Sequence, residues 1–330
     1  MHSPRVLLAA SASGSGKTMI TCGILQALYN RKMQVSSFKC GPDYIDPMFH
    51  EKVIGVRSGN LDLFFSGAEM LRRLFSRNAE GTEISVIEGV MGYYDGLAPA
   101  TEEASTYRIA QALNAPVILI VNARGQSLSS LAALEGFVRF RPDSGIKAVI
   151  FNQMSEHVFL SVKDNVKKMG IVPLGYVPRA EDLVIESRHL GLVTPDEISD
   201  LSDRLQHLAA LLEKTLDMDA LIALAGSAPD LQDSAAEILP KGTKTKIAVA
   251  RDEAFCFFYR DNLSLLERLG AELSFFSPIH DEKLPEGTRG LLLPGGYPEL
   301  YAKALSGNLS MRGAVADAIR SGTPCLAECG

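Results

Sequence analysis

Ser11-Ala12-Ser13-Gly14-Ser15-Gly16-Lys17-Thr18 follows an apolar run, Val6 to Ala10, and precedes a helix-like segment from about Lys17 to Asn30. Strand, glycine-rich loop, Lys-Thr and helix in that order make a phosphate-binding loop. The glycines let backbone N–H groups close on phosphate oxygens, and the helix N-terminus adds positive potential. Gly14, Ser15, Gly16, Lys17 and Thr18 are therefore the expected nucleotide contacts, with Lys17 at the terminal phosphates and the Thr18 hydroxyl at a Mg²⁺ position. The first glycine of the usual spacing is replaced by Ser11, which alters the path of the loop more than its chemistry.

Working outward, the chain of 330 residues is long enough for two domains, and 46% of it is apolar, as in globular proteins. A net charge of −6 speaks against a nucleic-acid partner. No apolar run reaches the ~20 residues of a membrane span, and the N-terminal apolar run is too short for a secretory signal. Five unevenly spaced cysteines without C-x-x-C point to a reducing cytoplasm and no zinc site.

Val35 to Lys39 reads as a strand that runs into K-C-G-P-D-Y-I-D-P, Lys39 to Pro47. Two prolines and a glycine mark this stretch as irregular, a shaped loop at a strand end carrying Lys39, Asp43, Tyr44 and Asp46. Its carboxylates suit either a Mg²⁺ site or a local turn. Ile84 to Ile87 is a second buried strand, ending at Glu88, and E-G-V-M-G-Y-Y-D-G follows to Gly96. A carboxylate there, after a phosphate loop, is placed to hold Mg²⁺, with Asp95 facing a substrate. Further strands are expected at Pro116 to Val121, Ile146 to Asn152 and Ile171 to Tyr176, with a helix from about Ser129 to Phe140. Such alternation implies an α/β fold with a parallel sheet covered on both faces. Asn152, at a strand end, is a candidate for the nucleotide base, and Arg188 with His189 for a carboxylate-bearing substrate.

Leucines at spacings of three and four predict one helix from Pro195 to Leu224, then a linker over about 225–244. A second α/β domain starts near Lys246, with strands at Ile247 to Ala250, Leu273 to Phe276, Gly290 to Leu293 and Pro324 to Glu328. Cys329-Gly330 is a sharp turn after the last of them, the elbow that exposes a nucleophile. Backbone N–H groups of Gly295, Gly296 and Gly330 are candidates for an oxyanion hole, and Cys325 is expected to be a buried small apolar residue.

Taken together, S-G-S-G-K-T, F-K-C-G-P-D-Y-I-D-P, N-L-D, I-E-G-V-M-G-Y-Y-D-G, A-R-G, R-H-L-G-L-V, A-R-D-E-A-F, F-F-S-P, P-G-G-Y-P-E and A-E-C-G make the chain resemble the cobyrinic or hydrogenobyrinic acid a,c-diamide synthases, glutamine amidotransferases of the CobB/CobQ type. The N-terminal half is also similar to dethiobiotin synthetase. The resemblance implies an ATP-binding amide synthetase domain over 1–224 and the N-terminal part of a class I glutamine amidotransferase domain over 245–330. It implies a cytoplasmic, ATP- and Mg²⁺-dependent ligase that activates tetrapyrrole carboxylates as acyl phosphates and amidates them with glutamine-derived or free ammonia; a homodimer is compatible with this. Asp43, Tyr44, Asp46, Glu88 and Asp95 would lie at the synthetase site, Thr18, Asp46 and Glu88 would flank Mg²⁺, and Cys329 would attack glutamine. The family carries the histidine base and its acid well beyond the cysteine, so the chain is expected to be a truncated product or fragment. The same reaction on nickel-sirohydrochlorin, and a non-catalytic P-loop partitioning ATPase, are the competing expectations.

Overall fold

Both faces of β1 (Arg5–Ala10) are buried, and its residues divide by alternation. Val6, Leu8 and Ala10 belong to one apolar core and Leu7 and Ala9 to another. A strand with period two that is apolar on both sides can only lie inside a sheet covered twice. The computed structural model describes residues 2–179, 195–231, 239, 242 and 244–329. It divides into two units, Met1–Ser234 and Ala235–Gly330.

In the first unit, β1 is followed by α1 (Lys17–Asn30), β2 (Val35–Cys40), α2 (Ile45–Phe49), a π-helical turn (His50–Ile54), β3 (Arg57–Leu61), α3 (Leu63–Asn78) and β4 (Ile84–Glu88). Then come α4 (Thr106–Ala112), β5 (Val117–Asn122), α5 (Leu128–Phe140), β6 (Ile146–Asn152), α6 (Glu156–Lys168), β7 (Val172–Val177), α7 (Pro195–Thr215) and α8 (Met218–Gly226). The described strands form one parallel sheet of seven in the order β3-β2-β4-β1-β5-β6-β7. Residues of α1, α7 and α8 fill the core on one face, and α3 to α6 fill the other. The reversal of strand order around β1 opens the ligand crevice at the carboxyl ends of β1, β2 and β4.

Three expectations are corrected here. Lys39 to Pro47 is not irregular throughout: α2 begins at Ile45 and contains Pro47. Pro47 falls in the first turn, where an N–H has no helical acceptor to lose. The single helix over Pro195 to Leu224 is two helices, because Asp217 caps a new one by accepting from Ala220 N at 2.9 Å. Leu216, between them, forms a bridge to Gly175. The third correction is Cys325, which is exposed.

The second unit holds β8 (Thr245–Ala250), β9 (Phe255–Phe257), α9 (Arg260–Arg268), β10 (Ala271–Phe276), β11 (Gly290–Leu293), β12 (Gly295–Gly296), α10 (Ala302–Gly307), α11 (Leu309–Arg320) and β13 (Cys325–Ala327). Its parallel sheet runs β10-β8-β11-β13, and β9 pairs antiparallel with β12. All three residues of β13 are exposed, which is why Cys325 is open.

Candidate functional site

The phosphate loop ends at Gly16, in left-handed backbone at φ 86°, and no side chain caps α1. The first amides of α1 are thus not taken by a capping side chain, as an anion site requires. A Cβ on Gly16 would run into the amide nitrogen of Asn152. Asn152 is buried and donates to the Ser15 carbonyl at 2.8 Å. The structure therefore places Asn152 against the loop backbone, from β6, as a brace.

Lys17 Nζ donates to the Met91 carbonyl at 3.0 Å. Met91 takes a left-handed φ of 48°, a conformation uncommon for a side-chain-bearing residue. Burial lowers the Lys17 pKa, an effect that Glu88 partly offsets. Met91 carries no side-chain signal of this contact, so the sequence offered no way to find it.

Glu88 is the centre of the site. It is fully buried at the end of β4. Its Oε1 accepts from Thr18 Oγ1 at 2.6 Å and from Lys39 Nζ at 2.7 Å. Lys39 also pairs with Asp46 Oδ2 at 2.6 Å. Pairing of β2 with β4 sets Lys39 beside Glu88, and the start of α2 brings Asp46 over them. Burial disfavours the ammonium, but Glu88 and then Asp46 outweigh it and hold the Lys39 pKa above the usual lysine range. Glu88 Oε2 is buried with no hydrogen-bond partner.

An orphaned carboxylate oxygen beside a hydroxyl and a second carboxylate fits a hard divalent cation. Thr18, Glu88 and Asp46 are the residues that could hold it. Among the described residues no group of three or more His, Cys, Asp or Glu forms an all-protein metal cage. That suits Mg²⁺, which is usually held by one or two carboxylates together with substrate phosphates and water.

Other expected site residues shape the loops. Asp43 Oδ1 accepts from Ile45 N at 2.8 Å and Asp46 N at 3.2 Å, so it organises the start of α2. Tyr44 occupies the N-cap position of α2. Asp95 is exposed, and its Oδ2 accepts from Gly92 N at 3.1 Å. Asn60, of the N-L-D stretch, donates to the carbonyls of Asp43 at 2.6 Å and Gly41 at 3.1 Å, tying the 41–47 loop to β3. Arg188, His189 and Gly330 lie outside the described residues.

Behind this loop, His50 is wholly buried. Its Nδ1 meets Ser37 Oγ at 3.1 Å and its Nε2 meets Cys22 Sγ at 3.6 Å. Ser37 Oγ donates to Ser58 Oγ at 2.7 Å. Burial pushes the imidazole pKa down to about 4. The folded state thus binds a proton less readily than the unfolded chain, so stability is present above pH ~6.5 and lost as pH falls toward 4. The loss should reach about 3 kcal/mol at pH 4. Urea unfolding of wild type and His50→Gln across pH 4–7 should show that slope only in the wild type; parallel curves would refute it.

In the second unit, Cys329 is exposed and left-handed at φ 71°, on the turn that follows β13. A Cβ added to Gly295 would lie 3.0 Å from Cys329 Cβ and 3.5 Å from its Sγ, so the glycine admits the cysteine. Gly295 and Gly296 sit in the short ladder with Phe257 and Phe255, across a register shift. The strained turn, the open thiol and the side-chain-free wall beside it are what a nucleophile needs.

Comparison with known proteins gives three kinds of likeness. Residues 246–330 match the model of the CobB/CobQ-like glutamine amidotransferase domain, and 67–187 match an AAA domain. A cobyrinate a,c-diamide synthase of Listeria innocua is 42% identical over 99% of this chain and 73% of its own length. One from Clostridium acetobutylicum is 41% identical over 98% of this chain and 74% of its own. Among solved structures, chloroplast FtsY from Physcomitrella patens aligns over 62% of this chain and 66% of its own, at 13% identity and a TM-score of 0.41.

Proposed function

Because the chain belongs to the cobyrinate a,c-diamide synthase family, we propose that it converts the a and c carboxylates of cobyrinate or hydrogenobyrinate to amides, with ATP, Mg²⁺ and glutamine-derived or free ammonia. The observation that carries this reading is the convergence of Thr18, Lys39 and Asp46 around Glu88 and its partnerless Oε2, at the mouth of the phosphate loop. ATP supplies the phosphoryl group that makes a carboxylate an acyl phosphate, from which ammonia displaces phosphate. Thr18, Glu88 and Asp46 would hold Mg²⁺, which would supply charge neutralisation at the phosphates.

The protein's own groups do the rest. The amides of the 14–18 loop orient the phosphates. Lys17 is held by the Met91 carbonyl at the entrance and offsets charge that develops during transfer. Lys39 is positioned to do so from the side of β2. Gly295 and Gly296 would offer N–H groups to the oxyanion formed when Cys329 attacks the glutamine amide. The division of labour follows the two units: activation and amidation in the first, ammonia release in the second.

The test is amidation of cobyrinate by purified protein with ATP, Mg²⁺ and ammonium, followed by mass spectrometry. Wild type should give the diamide, and Lys17→Ala should lower the rate by about 10²–10³-fold. Undiminished turnover in Lys17→Ala would remove the loop from the reaction, and no diamide from wild type would overturn the function.

A further inference from the structure

Thr18, Lys39 and Asp46 each have a neighbour on their own element that points into the core beneath them. Cys22 is four residues after Thr18 on α1, and His50 is four after Asp46, so each lies about one turn further along. Ser37 is two residues before Lys39 on β2 and shares its face of the strand. All three of these neighbours are buried, and they meet at His50: Nδ1 is 3.1 Å from Ser37 Oγ, and Nε2 is 3.6 Å from Cys22 Sγ. Two layers of side chains thus stack across the same three elements, one around Glu88 and one beneath it. After burial, the charges that act most on the imidazole are those of Asp46, Lys39 and Asp43, all from the segment above.

The lower layer has a direction. Burial keeps the imidazole neutral at pH 7, so it has one N–H and one lone pair to offer. Ser37 Oγ gives its own proton to Ser58 Oγ at 2.7 Å, and toward His50 it can only accept. Nδ1 therefore carries the ring proton, and Nε2 receives the Cys22 thiol, which burial keeps protonated. One chain of donors runs from Cys22 through His50 and Ser37 to Ser58, and so from α1 to β2 and β3. The other tautomer would break it at both ends of the ring.

We propose, on the function given above, that His50 is a positioning residue for Asp46: it ties the turn after α2 to α1 and β2 and so sets the Asp46 carboxylate for the divalent cation. Of the four groups of the site, Asp46 alone stands on neither a strand of the sheet nor α1. Its helix has five residues, too few to be stable unaided, and passes at His50 into a π-helical turn of five more. Such turns occur mostly at functional sites. Phe49 and Ile54 hold the segment by apolar packing, which is not directional. Hydrogen bonds from the ring fix its rotation as well, and with it the way Asp46 faces. A cation taken by Asp46 and Glu88 would compete with Lys39 for both carboxylates. The His50 chain, lying beneath, would keep Asp46 in place through that exchange.

The experiment measures the affinity of the full chain for a fluorescent ATP analogue without Mg²⁺, and then the Mg²⁺ concentration that gives half of the metal-dependent gain. His50→Leu and Ser37→Ala should each raise that concentration about tenfold, as loss of a buried hydrogen bond does. Affinity without Mg²⁺ should be unchanged, because the 14–18 amides and Lys17 supply it. His50→Asn, which keeps an N–H near the place of Nδ1, should recover most of the loss. A role in packing alone would lower the melting temperature of His50→Leu and leave the Mg²⁺ requirement of both variants as in wild type; that result would overturn the proposal while leaving the function intact. If His50→Leu loses Mg²⁺-free binding, and so its fold, Ser37→Ala decides by the same two readouts. A wild type whose nucleotide affinity does not respond to Mg²⁺ would overturn the cation assignment and this role together.

Discussion

Glu88→Gln should lower ammonia-dependent amidation by about 10²–10³-fold, the cost of losing one preorganised electrostatic group. The substitution keeps the shape and an oxygen for Thr18 and Lys39 but removes the charge they surround. Lys39 would then face Asp46 alone. Breaking a buried ion pair by removing one partner costs about 3–5 kcal/mol in stability, so the melting temperature should fall as well. Nucleotide binding without Mg²⁺ separates the two effects, because loss of fold removes it and loss of metal chemistry does not. The expected outcome is retained Mg²⁺-free nucleotide binding with a large increase in the Mg²⁺ needed for turnover. An unchanged rate and Mg²⁺ dependence would reduce Glu88 to a buried strand end.

In the full-length protein, Cys329→Ala should abolish amidation from glutamine, by more than about 10⁴-fold, since removing a nucleophile leaves only the background of binding groups. Amidation from ammonium should stay within about twofold, because the phosphate loop, Glu88 and Lys39 all belong to the other unit. Cys329 is exposed, so its loss opens no cavity in a core. Glutamate release and diamide formation, measured side by side, check both halves. Glutamine use that survives the substitution, or ammonia use that falls with it, would contradict the separation of roles.

Much of the frame was legible because its elements are driven by local pattern. β1, β4, β5 and β6 are apolar runs buried on both faces, and their limits agree with the sequence reading to within a residue. Lys17 and Thr18 stood out in the phosphate loop, Lys39 and Glu88 at strand ends and Asp46 in the loop after one, and the structure brings four of them, Thr18, Lys39, Asp46 and Glu88, into one set of contacts. β3 was not legible. R-S-G-N-L has one large apolar residue, Leu61, which lies in the core, while the buried Ser58 is bonded to Ser37 of the neighbouring β2, a contact that no apolar pattern marks. α3 escaped notice because Phe64 and Phe65 face outward and Gly67 interrupts its start. Contacts made by carbonyls, as between Lys17 and Met91, leave no trace in side-chain pattern. Neither does a brace such as Asn60, whose role depends on a pairing of β2 with β3.

The bridge that Lys39 makes between Glu88 and Asp46 has a further meaning for how the crevice is filled. A cation tethered to the chain competes at high effective concentration with any cation from solution. On the function proposed above, a divalent ion would therefore enter by exchange and not by simple addition. The Lys39 ammonium would give up one carboxylate to it, and the phosphates would be the natural place for the released charge to go. Metal and nucleotide would in that sense be accepted as a pair.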